Sequence, residues 1–308
     1  MSQFASPKRV TVIGGGHGLA AVLRALRHKP CELTVVVTVA DDGGSSGELR
    51  RRRGGPAVGD MRRALIALAG EEAPLARALA RPVTVERFGR HPVGNLLIRS
   101  LTEVFGDLTQ AVDWLRLELG IRARVLPATV DNVSLVAEVG RGVIVGESAI
   151  GTSQAAIRRL RFVPERPRVT DSVLESIAGS DYVLLGPGSL FTSVLAVSAL
   201  PDVAAALAET AARVVWICNL EGQLGETAGM SARGHLAALR RHGVRIDAVL
   251  YDPMAELSFA PGQLARRHLD AIPRPLRHGE RGIHDRALLR AALSEMFAGS
   301  RQAALAAS

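Results

Sequence analysis

RVTVIGGGHGL, residues 9–19, is the stretch on which the fold turns. A short β-branched run over 9–13 meets five positions of which four are glycine, and an amphipathic stretch over 19–28 follows. Strand, glycine turn, helix is the repeating unit of a parallel α/β sheet. Glycines in such a turn let the backbone approach a phosphate closely, and the helix start adds free N–H groups and partial positive charge. Gly14, Gly15, Gly16 and Gly18 are therefore candidate ligand contacts, with a tight strand–helix turn as the structural alternative. His17 either caps that turn or faces the ligand. The stretch is not the dinucleotide fingerprint G-x-G-x-x-G, because Leu19 stands where its last glycine belongs. It is not a P-loop either, since no Gly-Lys-Ser/Thr follows.

Outward from this unit, residues 33–40 form a continuous apolar run of the kind buried on both faces of a parallel sheet. Asp41, Asp42, Gly43, Ser45 and Ser46 follow at its end. An acid after the second strand commonly binds ribose hydroxyls. Two adjacent carboxylates also suit a divalent cation such as Mg2+ that bridges to phosphates, and plain turn or helix capping would explain them without a ligand. All of 41–59 reads as loop, its arginine run 50–53 being either a solvated face or a mobile basic flap. Asp60 stands near the N-cap of the next helix. Helical periodicity dominates 60–120, where Asn95 in HPVGNLL (91–97) caps a helix or reaches the cleft. Residues 130–139 and 142–145 read as a hairpin around Gly140, a small antiparallel addition to the sheet.

The same rhythm returns in the second half. A strand over 181–185 ends in Gly186, Pro187, Gly188 and Ser189, whose following helix offers a second anion-binding N-terminus. A strand over 213–218 ends in a polar loop holding Asn219, Gln223, Glu226 and Thr227. Another strand covers 246–250, and one clear helix covers 285–297. Strand-end loops of an open α/β sheet share one carboxyl edge, so these segments converge. The expectation is a Rossmann-like, doubly wound, mostly parallel sheet in three α/β/α layers. One domain spans 1–298 with a helical insertion at about 60–120, and 299–308 is a frayed tail.

Composition narrows the function. Hydrophobic content of 47% with 22% charged residues suits a globular chain. Aromatics at 4% supply no stacking platform, and no helix-turn-helix or zinc pattern is present, which argues against nucleic acid despite a net charge of +8. Of the 38 basic residues only Lys8 and Lys29 are lysine, a bias that resembles genome composition more than a phosphate track. Cys31 and Cys218 form no C-x-x-C motif and imply a reducing compartment. The N-terminal apolar run is too short for a signal peptide, and the apolar stretch 190–208 is broken by Pro201 and Asp202. A cytoplasmic protein with no membrane span and no structural metal is expected.

These motifs together resemble one family. VTVIGGGHGL, VTVADDGGSSGELR, GDMRRAL, GRHPVGNLLI, LLGPGSLFTS and NLEGQLGETAGMS run in order between residues 10 and about 250. They are similar to the YvcK-like gluconeogenesis factors of the CofD, or 2-phospho-L-lactate transferase, superfamily. A weaker echo is His284-Asp285-Arg286. The resemblance implies a CofD-like fold that binds a UDP-sugar such as UDP-N-acetylglucosamine. The glycine turns would hold the diphosphate, and Asp41 and Asp42 would meet ribose, sugar or a cation. The implied role is a regulator of cell shape, peptidoglycan synthesis and gluconeogenic growth, a homo-oligomer with an unidentified protein partner. The alternative is a CofD-type transferase moving a phospholactyl group from a guanylated donor, with Asp41, Asp42 and Asp60 facing a divalent metal. Two departures bear on ligand specificity: Gly222-Gln223-Leu224-Gly225-Glu226-Thr227 stands where the family shows Thr-Gln-Pro-Gly-Glu-Thr, so one hydroxyl is missing, and Arg63 stands where an asparagine is usual.

Overall fold

The computed structural model describes residues 7–85, 89–279 and 282–305. β1 (Lys8–Gly14) runs into α1 (Gly16–Leu26), and β2 (Cys31–Val37) into α2 (Gly44–Arg53) and α3 (Gly59–Ala69). α4 (Pro74–Ala80), the strands β3 (Pro82–Val85) and β4 (Gly89–Pro92), α5 (Val93–Phe105) and α6 (Leu108–Glu118) lead to β5 (Arg124–Pro127). β6 (Ser134–Val139), β7 (Gly142–Val145), α7 (Glu147–Thr152) and β8 (Ile157–Val163) follow, then α8 (Asp171–Ala178) and β9 (Tyr182–Leu185). A wide π turn, Leu190–Val194, continues as α9 (Leu195–Ser198) and α10 (Pro201–Glu209). The chain closes with β10 (Arg213–Ile217), α11 (Ala232–Arg241), β11 (Ala248–Tyr251), β12 (Asp270–Pro273) and α12 (Arg286–Leu305).

Seven strands make one parallel sheet in the order β12-β11-β10-β9-β1-β2-β5. The chain builds outward from β1 through β2 to β5, returns to β9 on the other flank of β1, and builds outward again to β12. Strand order thus reverses between β1 and β9, the place where an open α/β sheet forms a crevice beyond its carboxyl ends. The central strands are apolar because helices cover both faces: Val10, Val12 and Ile13 of β1 and all of β9 are buried. α1 turns Leu19, Val22, Leu23 and Leu26 inward at i, i+3, i+4 and i+7 and packs on α3 and α12. The layers and the parallel sheet are those expected from the sequence.

Local detail departs from the expectation, most clearly as follows. Residues 44–53, read as loop, form α2. Its glycine and serine content disfavours a helix, but Glu48 pairs with Arg51 and Arg52 one turn on. Arg50 also donates to the carbonyls of Ala40, Asp41 and Val133 and to Asn132 Oδ1, which holds the helix down. The helical segment between β2 and β5 also contains a β3–β4 hairpin. β6 and β7 do not extend the main sheet; with β8 they form a separate antiparallel sheet, burying Leu135, Ala137, Leu160 and Phe162 on its inner face. The final helix runs to Leu305, through most of the expected tail, and 306–308 lie outside the described residues.

No single helix among the described residues is long and apolar enough to cross a membrane. The apolar stretch beginning at Leu190 is bent by 69° at its break, and Leu190, Phe191, Val194 and Leu195 belong to the core.

The two glycine loops flanking the strand-order reversal touch. A Cβ added at Gly18 would lie 2.2 Å from the Pro187 carbonyl oxygen, where neither backbone can yield. Gly18→Ala should cost about 1–3 kcal/mol of unfolding free energy. Gly151→Ala, whose added Cβ meets open space, should stay within about 0.5 kcal/mol of the parent. Denaturant melts of both variants make the comparison.

Candidate functional site

A cavity of about 280 Å3 sits in this crevice. Gly15, Gly16, His17 and Gly18 line it from the loop after β1, Thr38 and Asp41 from the end of β2, and Asp60 and Arg63 from α3. Glu147 opens α7 onto it; Gly188, Ser189, Thr192, Ser193 and Gln223 close the far wall. A larger cleft of about 1150 Å3 lies at the opposite sheet edge, against the amino ends of β1, β2 and β5, and contains none of the motif loops. Chemistry in this fold class belongs at the carboxyl edge, so the smaller cavity is the candidate site.

The loop after β1 is shaped by close approach. A Cβ on Gly15 would meet Thr38 Cγ2 at 2.4 Å and Asp60 Oδ2 at 2.6 Å, and Gly16 sits at φ +63°. The Gly16 N–H, first of α1, donates to Asp60 Oδ2 at 3.0 Å. Asp60 Oδ1 accepts from Arg63 Nη1 one turn along α3. So the helix start that the sequence offered to a phosphate carries the chain's own carboxylate.

The same arrangement recurs twice. Asp42 turns away from the cavity: its carboxylate accepts from the Glu147 N–H at 3.0 Å and the Ser148 N–H at 2.9 Å, capping α7. Glu226, almost fully buried, accepts from the Phe191 and Thr192 N–H groups at 3.0 and 3.1 Å, at the start of the π turn. Asn219 clamps Gly188 by accepting from its N–H at 3.0 Å and donating to its carbonyl at 2.9 Å. Thr227 Oγ1 accepts from the Gln223 N–H at 3.2 Å. These side chains shape the loops rather than line the cavity.

Of the remaining expected residues, Asp41 faces the cavity while its Oδ1 accepts from the Gly43 N–H at 2.9 Å. Ser45 lies in a separate link, 2.7 Å from His91 Nδ1 and accepting from Asn95 Nδ2 at 2.9 Å, which docks α2 on α5. Ser46 is buried beneath Gly59. Gly14, Gly186 and Pro187 form the turns without lining the cavity. Thr38, Glu147, Thr192 and Ser193 line it unforeseen, and Arg63, marked only as a departure from the family pattern, lines it too. Thr192 and Ser193 lie within the quoted LLGPGSLFTS. Nothing local marks Glu147, which arrives through the long-range cap on Asp42.

Acceptors dominate the walls. Asp60 is pushed above the ordinary carboxylate range by burial, with Arg63 opposing. Burial, then the nearby Asp41, Asp42, Asp60 and Glu226 carboxylates, pushes Glu147 up to about 7. Gln223 donates through Nε2 to Ser189 Oγ at 3.1 Å, and its Oε1 is buried without a partner. Among the described residues no group of three or more His, Cys, Asp or Glu side chains is arranged to hold a metal ion.

The family model of 2-phospho-L-lactate transferase CofD matches residues 10–270. The chain belongs to the CofD family. Its relatives include the gluconeogenesis factor of Halalkalibacterium halodurans, 40% identical over 238 residues, which are 76% of this chain and 74% of that protein. The gluconeogenesis factor of Bacillus subtilis is 38% identical over 241 residues, covering 76% of this chain and 74% of the relative. A crystal structure of a UPF0052 family member from Bacillus halodurans superimposes with a TM-score of 0.88 at 31% identity, over 94% of this chain and 99% of that one. This CofD-family chain is thus a YvcK-like member, as the motifs implied.

Two outcomes follow from the hydrogen bonds and charges. Asp42→Ala, which removes both acceptors of the α7 N–H groups, should lower unfolding free energy by about 0.5–2 kcal/mol in thermal or denaturant melts. For Glu147 the folded pKa, about 7, lies above its ordinary 4.5. The native state therefore binds the proton more tightly, and this group's contribution is most favourable below pH 4.5 and declines as pH rises towards 7. Glu147→Gln should melt with the parent near pH 4.5 and above it at pH 8; equal melting at both pH values would refute the assignment.

Proposed function

We propose that this chain is a nucleotide-sugar-binding regulator whose ligand places its sugar and phosphate portion in the carboxyl-edge cavity. The observation that carries the reading is the excess of acceptors there. Asp41 and Glu147 face a small polar space walled by glycine backbone, with Thr38, Ser189, Thr192 and Ser193 beside them, which suits a ligand rich in hydroxyl donors. Carboxylates in a confined polar space accept strong hydrogen bonds from hydroxyls, which adds affinity and selectivity. The uridine base comes from the family resemblance, with UDP-N-acetylglucosamine as the leading ligand. Free thiols at Cys31 and Cys218 agree with action in the cytoplasm.

The acid-lined wall also supports a second reading, a CofD-type transferase. Asp41, Asp60 and Glu147 supply hard oxygen donors, and a cation arriving with the donor's phosphates would complete its shell from them. Among the described residues no protein-only cage is preformed, so metal uptake without nucleotide is not expected.

Melting in the presence of ligands separates the two. UDP-N-acetylglucosamine at a hundred times its dissociation constant should stabilise the chain by about 2.7 kcal/mol, a shift of several degrees, while NAD should leave it unchanged. A shift with a guanylated phospholactyl donor plus Mg2+, and none with UDP-sugars, would select the transferase.

A further inference from the structure

Arg63 is the feature of the cavity that its composition least explains. Among the described lining residues it is the one arginine or lysine, on walls that carry Asp41, Asp60 and Glu147. It also sits in the opening turns of α3, the positive end of a helix, where a cation gains nothing from the helix dipole. Within α3 its partner is Asp60, one turn earlier.

What Arg63 does touch is Asp60, through Nη1 alone. Asp60 is fixed on its other oxygen by the Gly16 N–H at 3.0 Å. The pair is asymmetric: the Asp60 side chain is 7% exposed, and that of Arg63 is 35% exposed. A buried carboxylate anchored to α1 thus holds one corner of a guanidinium whose planar fork carries five donors. The remaining donors belong to a side chain that lines the cavity. Several backbone donors nearby are already engaged: the Gly16 N–H by Asp60, the Glu147 and Ser148 N–H groups by Asp42, and the Phe191 and Thr192 N–H groups by Glu226.

We propose that Arg63 is the anion-recognising and specificity-determining residue of this cavity, bridging the buried Asp60 to the phosphate groups of a nucleoside diphosphate. Asp60 is the positioning residue: it orients the guanidinium and keeps the glycine loop in place. The inference rests on the nucleotide reading above but reaches further, since it assigns phosphate recognition to one side chain instead of to the glycine turns. A guanidinium already held at one corner by a carboxylate presents its remaining N–H donors with less rotamer freedom to lose, and charge-assisted bonds to phosphate are the strong kind.

The test is a ligand series by isothermal calorimetry on the parent, Arg63→Gln and Arg63→Lys: uridine, UMP, UDP, UDP-N-acetylglucosamine, and pyrophosphate alone. Affinity in the parent should climb with phosphate number. Arg63→Gln should lose roughly ten- to hundredfold on UDP, the sugar nucleotide and pyrophosphate, and nothing beyond about twofold on uridine. Arg63→Lys, a point charge without the fork, should recover part of the loss. Melting of the unliganded variants reports folding separately. An equal loss on uridine and UDP would make Arg63 merely a support for Asp60 and overturn the proposal, as would unchanged pyrophosphate binding by Arg63→Gln. Pyrophosphate bound through Arg63 with no response to any uridine ligand would sustain Arg63 and refute the uridine-nucleotide reading instead. No binding of pyrophosphate or of any nucleotide by the parent would overturn both.

Discussion

Gly18 lies against the Pro187 carbonyl across the reversal of strand order, and the site is organised around that approach. β1 and β9 are hydrogen-bonded neighbours, so the loops leaving them must share the space beyond one pair of strand ends. Only backbone without Cβ fits between them. Gly15 repeats the constraint one layer over, against Thr38 and Asp60. Bringing the start of α1 beside the π turn at Leu190 in this way leaves a narrow polar pocket where helix starts converge.

Converging helix starts concentrate positive potential, and the chain answers it internally. Asp60 serves α1, Asp42 serves α7 and Glu226 serves the π turn. Buried carboxylates are tolerable because each accepts backbone N–H bonds. Burial nonetheless pushes Asp60 and Glu226 upward. The electrostatic character of the pocket is inverted as a result. A crevice whose glycine loops suggest an anion cradle presents acceptors, and Arg63 supplies the compensating charge.

The arginine run after β2 has a mechanical role. Arg50 ties the exit of β2 to the residues entering β6, and Asp42 ties it to α7. The acidic loop is thereby strapped on two sides to the small antiparallel sheet. Arg51 and Arg52 are engaged with Glu48 on their own helix. The net charge of +8 therefore reflects, in this segment, struts and local pairs rather than a polyanion track.

Reading residues alone was sufficient for the parallel sheet, the strand–glycine–helix units and their shared carboxyl edge. Those features follow from periodicity and from glycine, which act within a few residues. Gly15, Gly16, Gly18, Asp41, Gly188, Ser189 and Gln223 were legible as site residues on the same grounds. α2 was not, because its stability comes from Arg50 reaching Asn132 and Val133, contacts that no local propensity records. The roles of Asp42, Asp60 and Glu226 were equally hidden. An aspartate before a glycine run looks the same whether it awaits a ligand or caps a helix 105 residues away. Which polar groups meet a ligand and which are consumed by the fold depends on who stands opposite them in space, and only the tertiary structure brings those partners together.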